Sequence, residues 1–371
     1  MTNTHIPFRY DYVGSFLRPE SLKKARADYE AGRISRSDLT AAEDEAIRDL
    51  VSKQKKAGYP VITDGEFRRA TWHLDFMWAF DGVGHSPTKK GLPFHGEDAM
   101  IDDTYLTGKI SVGHHPFVDH FKFVKALEDE HTIAKQTIPA PAQFLEQMIM
   151  PMNQESTRRF YSTTEELIRD IAAGYQKVIR ELYGAGCRNL QLDDCSWGVC
   201  VDPNAALYFG TDEKGLEEIQ RQLLLVNNLA VEGAPSDLTI TTHICRGNFH
   251  SAWACQGGYD RVASLLFGQE QVSAYYLEFD DERSGGFEPL KELTGDKKVV
   301  LGLITSKRPE LEDKASVIAR IREAAAYVPL DRLCLSPQCG FASCECGNKL
   351  TEEEQWAKLA LVKEIAEEVW G

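Results

Sequence analysis

The chain has no cysteine before Cys187, no excess of basic residues and no long apolar run. Each absence excludes something. All nine cysteines fall between Cys187 and Cys346, an odd and clustered set. A disulfide framework is even in number and spread through a short secreted chain. Clustered thiols in a reducing compartment are instead packing residues, metal ligands or reactive groups. Lysine and arginine number 42 against 57 aspartates and glutamates, a net charge of −15, and no segment concentrates the basic ones. A duplex or anionic membrane is bound through a basic face that neutralises phosphates, so neither nucleic acid nor membrane is an expected partner. No stretch approaches the ~20 apolar residues of a membrane span, and Met1 to Tyr10 lacks a signal-peptide core. The expectation is a soluble, cytoplasmic protein.

What is present suits a large core. The 371 residues are 43% hydrophobic and 27% charged, and one (β/α)₈ barrel commonly takes ~250 residues or more. Short β-rich runs alternate with helical patterns, which favours a parallel α/β architecture. Thr163-x-x-Glu166 has capping-box spacing at the head of an amphipathic helix running to Leu182. Eight candidate strands lie near residues 13, 61, 135, 191, 241, 276, 301 and 334, and polar residues follow their C-terminal ends. That pattern predicts a (β/α)₈ TIM barrel forming one domain over residues 1–371, with its active site at the C-terminal rim. A doubly wound open sheet is the alternative, but no Gly-x-Gly-x-x-Gly follows the first strand. Residues 82–130, rich in His, Gly and Pro, read as an elaborated loop insertion over one end.

Three strand ends carry metal-ligand chemistry: His243-x-Cys245, Glu278 and Cys339. In a barrel they return to one rim, where two thiolates, an imidazole and a carboxylate suit zinc. Cys339-x4-Cys344-x-Cys346 is a competing set for a structural zinc, and Cys195-x4-Cys200 a weaker one. Two thiolates and a carboxylate would leave a divalent cation at −1. Such a metal acidifies water only weakly, and it suits the activation of an incoming thiol better than hydrolysis. Acidic groups form a second constellation, with Glu66 and Asp193-Asp194 just past predicted strands. They could bind a substrate ammonium, with N–H groups near Gly14-Ser15 receiving its carboxylate. Equally, they could pair with Arg68 or Arg18, or cap helices. Lys307 is a candidate proton donor or anion clamp, or else a solvated surface lysine. Trp72, Trp78 and Trp197 could stack on a planar ligand or simply pack.

Taken together, these residues resemble the C-terminal catalytic barrel of cobalamin-independent methionine synthase. The matching pieces are Val13-Gly14-Ser15-Phe16, Asp64-Gly65-Glu66, Gln191-Leu192-Asp193, His243-Ile244-Cys245, Glu278 and Ser336-Pro337-Gln338-Cys339-Gly340. They run in the family's order and span nearly the whole chain. The resemblance implies Zn²⁺ held by His243, Cys245, Glu278 and Cys339, and homocysteine bound through Ser15, Glu66 and Asp193. It implies methyl transfer from 5-methyltetrahydrofolate or a related donor, giving methionine. The chain is similar to only one of the two barrels of the long enzymes. Asp193-Asp194-Cys195-Ser196 stands where the family usually reads Asp-Glu-Pro-Ala, and Lys307 where long members place a histidine acid. A proton for the donor's leaving nitrogen would then come from near Lys307, or from water held by Asp194. Alternatives are a zinc-dependent thiol alkyltransferase that opens an epoxide, a metal-free decarboxylase, and a non-catalytic barrel with structural zinc.

Overall fold

The computed structural model describes residues 6–371. Its strands in chain order are β1 (Val61–Ile62), β2 (Asp81–Ser86), β3 (Leu92–Phe94), β4 (Glu97–Ala99), β5 (Asp103–Ser111), β6 (Ile133–Ala134), β7 (Gln136–Pro139), β8 (Asn189–Asp194), β9 (Thr239–Ile244), β10 (Ala274–Glu278), β11 (Lys298–Ile304) and β12 (Leu333–Pro337). Strands β7 to β12 form one six-stranded sheet in sequential order, with every pairing parallel. Helices intervene between most of them, as parallel crossovers require. β8 and β10 are buried along their whole length. They show no apolar–polar alternation because neither face meets water.

The register decides where the chemistry goes. Asp193 stands opposite His243, His243 opposite Tyr276, and Glu278 opposite Gly302. The C-terminal ends of β8, β9 and β10 therefore lie at one level.

β1 pairs in parallel with β6, and β6 and β7 are separated only at Lys135. The strand expected near residue 13 does not form as a regular strand. Tyr10 makes one parallel bridge to Leu335 of β12, and then side chains take the backbone groups. Asp11 Oδ1 accepts from the Tyr12 N–H at 2.8 Å, Gln191 Nε2 donates to the Val13 carbonyl at 2.7 Å, and Thr63 Oγ1 donates to the Gly14 carbonyl at 2.8 Å. The observed sheet is therefore a parallel α/β arrangement of six strands, flanked by β1–β6 and the Tyr10 bridge. Inside it lies a buried polar knot: Lys135 Nζ meets Asp11 Oδ1 at 2.7 Å, and the Tyr276 hydroxyl donates to Asp11 Oδ2 at 2.8 Å.

The insertion is built rather than loose. β2 pairs antiparallel with β5, β3 with β4, and a helix follows at Pro116–Lys125. The helix Thr164–Gly184 starts as expected, with the Thr163 hydroxyl accepting from the Glu166 N–H at 3.3 Å. Among the described residues, no helix is long and apolar enough to cross a membrane.

Candidate metal centre and the adjoining cavity

His243, Cys245, Glu278 and Cys339 meet at the rim of the sheet. All four are buried, and one ligand atom from each lies within 4.8 Å of the others. The Cys245 and Cys339 sulfurs are 3.7 Å apart. Two sulfurs on a tetrahedral zinc at ~2.3 Å each would be separated by about 3.8 Å, so the spacing fits a shared ion. It is far too long for a disulfide. His243 places Nδ1 3.3 Å from the Tyr276 carbonyl, while its Nε2 is buried with no partner. A histidine whose outer nitrogen is fixed by a carbonyl and whose inner one is free is set up as a metal ligand.

Glu278 is held from outside the cluster. Its Oε1 accepts from the Arg246 N–H at 3.0 Å and its Oε2 from Arg283 Nη2 at 3.0 Å. Burial pushes this carboxyl up, but the charges of Lys307, Arg283, His243 and Arg246 outweigh it and hold the pKa below the ordinary value. The thiols behave oppositely. The neighbouring Cys195 thiol and burial push Cys245 well up, and Cys245 and burial do the same to Cys339. Without a cation the pair stays protonated. Cys344 is half-buried, Cys346 is exposed, and neither joins the cluster.

The metal centre opens into a cavity of about 340 Å³. Ser15, Glu66 and Asp193 line it together with His243, Cys245 and Cys339. Glu66 adopts φ 63°, in the left-handed region that non-glycine residues seldom occupy. Thr137 Oγ1 donates to Glu66 Oε1 at 2.9 Å, and Arg69 Nη1 lies 3.2 Å from the same oxygen. Oε2 is buried without a partner. The arginine that pairs with Glu66 is thus Arg69. Arg68 goes to Glu43 and Asp44 instead, and Arg18 takes the Glu66 backbone carbonyl. Asp193 accepts from Gln191 Nε2 at 2.7 Å. Burial raises both carboxyls, Asp193 well above its usual range with the Glu66 charge adding to the effect. This acid pair lacks a full counter-charge. Ser15 is fixed by close packing, since a Cβ on Gly340 would stand 1.9 Å from its Oγ.

Two expected site residues do not line the cavity. Successive side chains of a strand face opposite ways, so Asp194 points away from Asp193. Its Oδ1 accepts from the Ser196 N–H at 2.9 Å, and its Oδ2 from Asn227 Nδ2 at 3.1 Å. Both oxygens are engaged by groups outside the cavity lining. Lys307 is buried rather than on the surface, and its Nζ donates to Asn248 Oδ1 at 2.9 Å. Asn248 lines the cavity, and the Lys307 charge also acts on Glu278. Of the three tryptophans, Trp72 lines the cavity stacked on His73, Trp78 stacks on His85, and Trp197 is wholly buried.

The cavity lining also includes an apolar set, Leu92, Pro93, Phe94, Ala99 and Ile101 of the insertion with Tyr208 and Phe249. The insertion is tied down over it. The His95 N–H donates to the Trp253 carbonyl at 2.8 Å, and Glu97 meets His250 at 2.8 Å. Two acids of the lining, Glu146 and Asp202, went unread in the sequence. Glu146 lines the cavity from the helix Pro141–Ile149, one turn beyond Gln143. The only available signal was a carboxyl three residues after an amide in an otherwise apolar run.

The chain is similar to known proteins over nearly its whole length. The sequence model of the family described as "Cobalamin-independent synthase, Catalytic domain" matches residues 10–368. A Bacillus subtilis protein named "Uncharacterized protein YxjG" is 44% identical, over 98% of this chain and 95% of its own. The structure of a putative vitamin-B12 independent methionine synthase from Listeria monocytogenes superposes with a TM-score of 0.78 at 39% identity, covering 98% of each chain. A B12-independent methionine synthase from Shewanella sp. W3-18-1, solved in complex with selenomethionine, has the same fold, with a TM-score of 0.71 at 19% identity over 97% of each chain. With the family model covering nearly its whole length, the chain belongs to the cobalamin-independent methionine synthase family and is a methyltransferase.

Proposed function

We propose that the protein transfers a methyl group to the thiol of homocysteine, forming methionine, with zinc held by His243, Cys245, Glu278 and Cys339. One observation carries the reading: thiol-rich metal ligands and an under-compensated acid pair converge on one cavity. Zinc in that donor set would lower the pKa of a substrate thiol while remaining a weak Lewis acid toward water. Glu66 and Asp193 receive the substrate ammonium, and Ser15 with the nearby backbone N–H groups receives its carboxylate. The thiolate sulfur then attacks the methyl carbon in line, with the donor against the apolar residues of the lining. The donor is 5-methyltetrahydrofolate or a related methylated heterocycle, matched to walls such as Trp72, Phe94 and Tyr208. Lys307 and Arg283 act as positioning residues that keep Glu278 ionised, and Asp194 anchors the helix Ser196–Cys200.

The acid pair favours an amino-acid thiol over the simple thiol of an epoxide-opening enzyme. The open cavity beside the ligands favours a reactive metal over a structural one. We further propose that the 10–13 segment closes the sheet into a (β/α)₈ barrel forming one catalytic domain. The Tyr10–Leu335 bridge and the β1–β6 pairing support closure. The free state of all nine cysteines suits a cytoplasmic location.

The test is methionine formation by zinc-loaded protein from homocysteine and a panel of methyl donors. No methionine from any donor refutes the reading. Equal turnover of a thiol without an amino group would shift it to general thiol alkylation.

A further inference from the structure

We propose that Glu146 is the acid that protonates the leaving group of the methyl donor. The assignment rests on the transferase reading and names the residue that completes it.

The argument begins with placement. The helix Pro141–Ile149 is buried on nearly every side, and such helices carry apolar residues all round. Glu146 breaks that rule and is only 3% exposed, yet it lines the cavity shared with His243, Cys245 and Cys339. Its Oε2 is buried and has no hydrogen-bond partner. A buried polar atom without a protein partner is open to a ligand atom or water. The backbone holds it there: Gln143, one turn earlier, accepts from the Cys195 N–H at 3.0 Å, which fastens this helix to the end of β8.

The surroundings set its protonation state. The groups turned toward Glu146 are Asp194, the thiols of Cys195, Cys200 and Cys255, the Tyr208 hydroxyl and the Gln143 amide. None carries positive charge. Burial, and then the charge of Asp194, push the carboxyl up to about 8. At neutral pH it holds its proton, as a general acid must.

The step balances. The sulfur–carbon bond forms as the bond from the methyl carbon to the donor's nitrogen breaks. The nitrogen leaves with the electron pair and takes the proton from Glu146. The carboxylate regains a proton from water, replacing the one the substrate thiol released on binding. Of the other cavity acids, Glu66 and Asp193 are assigned to the substrate ammonium and Asp202 accepts from the Asn204 and Gln256 N–H groups, while Lys307 and Asp194 do not line the cavity.

The test compares two donors in zinc-loaded protein: 5-methyltetrahydrofolate, whose leaving nitrogen needs a proton, and S-methylmethionine, whose leaving thioether needs none. Glu146→Gln should lower kcat with the folate about 100-fold or more, the usual effect of losing a positioned acid. The loss with the sulfonium should be at least tenfold smaller. Glu146→Asp should restore part of the folate rate. The infrared difference spectrum between wild type and Glu146→Gln at neutral pH should show the carbonyl stretch of a neutral carboxylic acid. Equal losses with both donors, an unchanged folate rate, or a carboxylate band in its place would each overturn the assignment and leave the transferase reading standing. Wild-type protein inactive with both donors would instead overturn the transferase reading, and this assignment with it.

Discussion

Asp193→Asn isolates the amino-acid pocket, because it removes a charge and little else. The asparagine carbonyl can still accept from Gln191 Nε2, which reaches Asp193 at 2.7 Å, so the end of β8 should keep its shape. What is lost is an ionisable carboxyl that is 5% exposed beside Glu66. Burial and the neighbouring acid hold both carboxyls above the ordinary range, so in the empty pocket the pair resists full ionisation. An ammonium arriving between them supplies the missing positive charge, and the retained proton leaves. A charge-assisted hydrogen bond of this kind is worth roughly 1.5–3 kcal/mol, or one to two decades in affinity. Methionine is the ligand of choice because it brings no thiol proton to confuse the count. Calorimetric titration of methionine near neutral pH, in two buffers of different ionisation enthalpy, gives affinity and proton release together. In wild type, affinity should rise with pH as the pair ionises, and binding should release protons. Asp193→Asn should weaken binding about 10- to 100-fold and release fewer protons, with metal content unchanged. A Kd within twofold of wild type, or an identical proton count, would refute the ammonium pocket.

Four other outcomes follow from the geometry. Cys245→Ser and Cys339→Ser should each lose most of about one zinc per chain, read by elemental analysis, because both sulfurs belong to the 4.8 Å ligand cluster; full occupancy in both would remove the metal site. Gly340→Ala drives a Cβ to 1.9 Å from Ser15 Oγ, so overpacking should cost about 1–3 kcal/mol and raise KM for homocysteine; a wild-type KM would show that Ser15 does not bind substrate. Lys135→Met strands Asp11 in the sheet interior, where both side chains are fully buried, and chemical denaturation should show a loss of about 3–5 kcal/mol; a loss under 1 kcal/mol would show that the pair is not ionised. Burial raises Glu270 from 4.5 to about 8, so the folded state holds the extra proton across that window, and this contribution to stability is lost as pH rises through it; Glu270→Gln should flatten the decline, and an unchanged pH–stability slope would refute the shift.

The metal ligands were the most legible part of the sequence, because each closes a strand and strand ends can be found by pattern. His243, Cys245, Glu278 and Cys339 needed only the parallel register to meet. The acid residues were harder to read for a reason of period. Asp193 and Asp194 are adjacent, and only the pleat decides which one enters the cavity. Gln191, two residues earlier, faces the interior network through Lys135 at 3.2 Å, so inward alternation selects Asp193 and sends Asp194 to Asn227. Lys307 is buried rather than solvated, and nothing local in the sequence announces that Asn248 will hold it. The strand at 13 failed because its partners are side chains from distant segments, which leave no periodic trace. Glu146 was missed for the opposite reason, since its helix looks like ordinary core.

The electrostatics of the cavity explain how one small space can hold so many acids. Glu66, Asp193 and Glu146 are all shifted upward, whereas Glu278 alone is shifted downward. The difference is not burial, which raises all four. It is the company of Arg246, Arg283 and Lys307, which surround Glu278 and none of which is buried against Glu146. Burying three more ionised carboxylates within this volume would be prohibitive without cations. The fold therefore concentrates positive charge on Glu278, gives Glu66 and Asp193 only a partial counter-charge from Arg69, and leaves Glu146 none. In the proposed reaction the ammonium would discharge Glu66 and Asp193, and Glu146 would keep its proton until a leaving group takes it. A cation engineered beside Glu146, such as Gln143→Lys, would ionise that acid early, so folate-dependent turnover should fall while methionine binding at Asp193 persists.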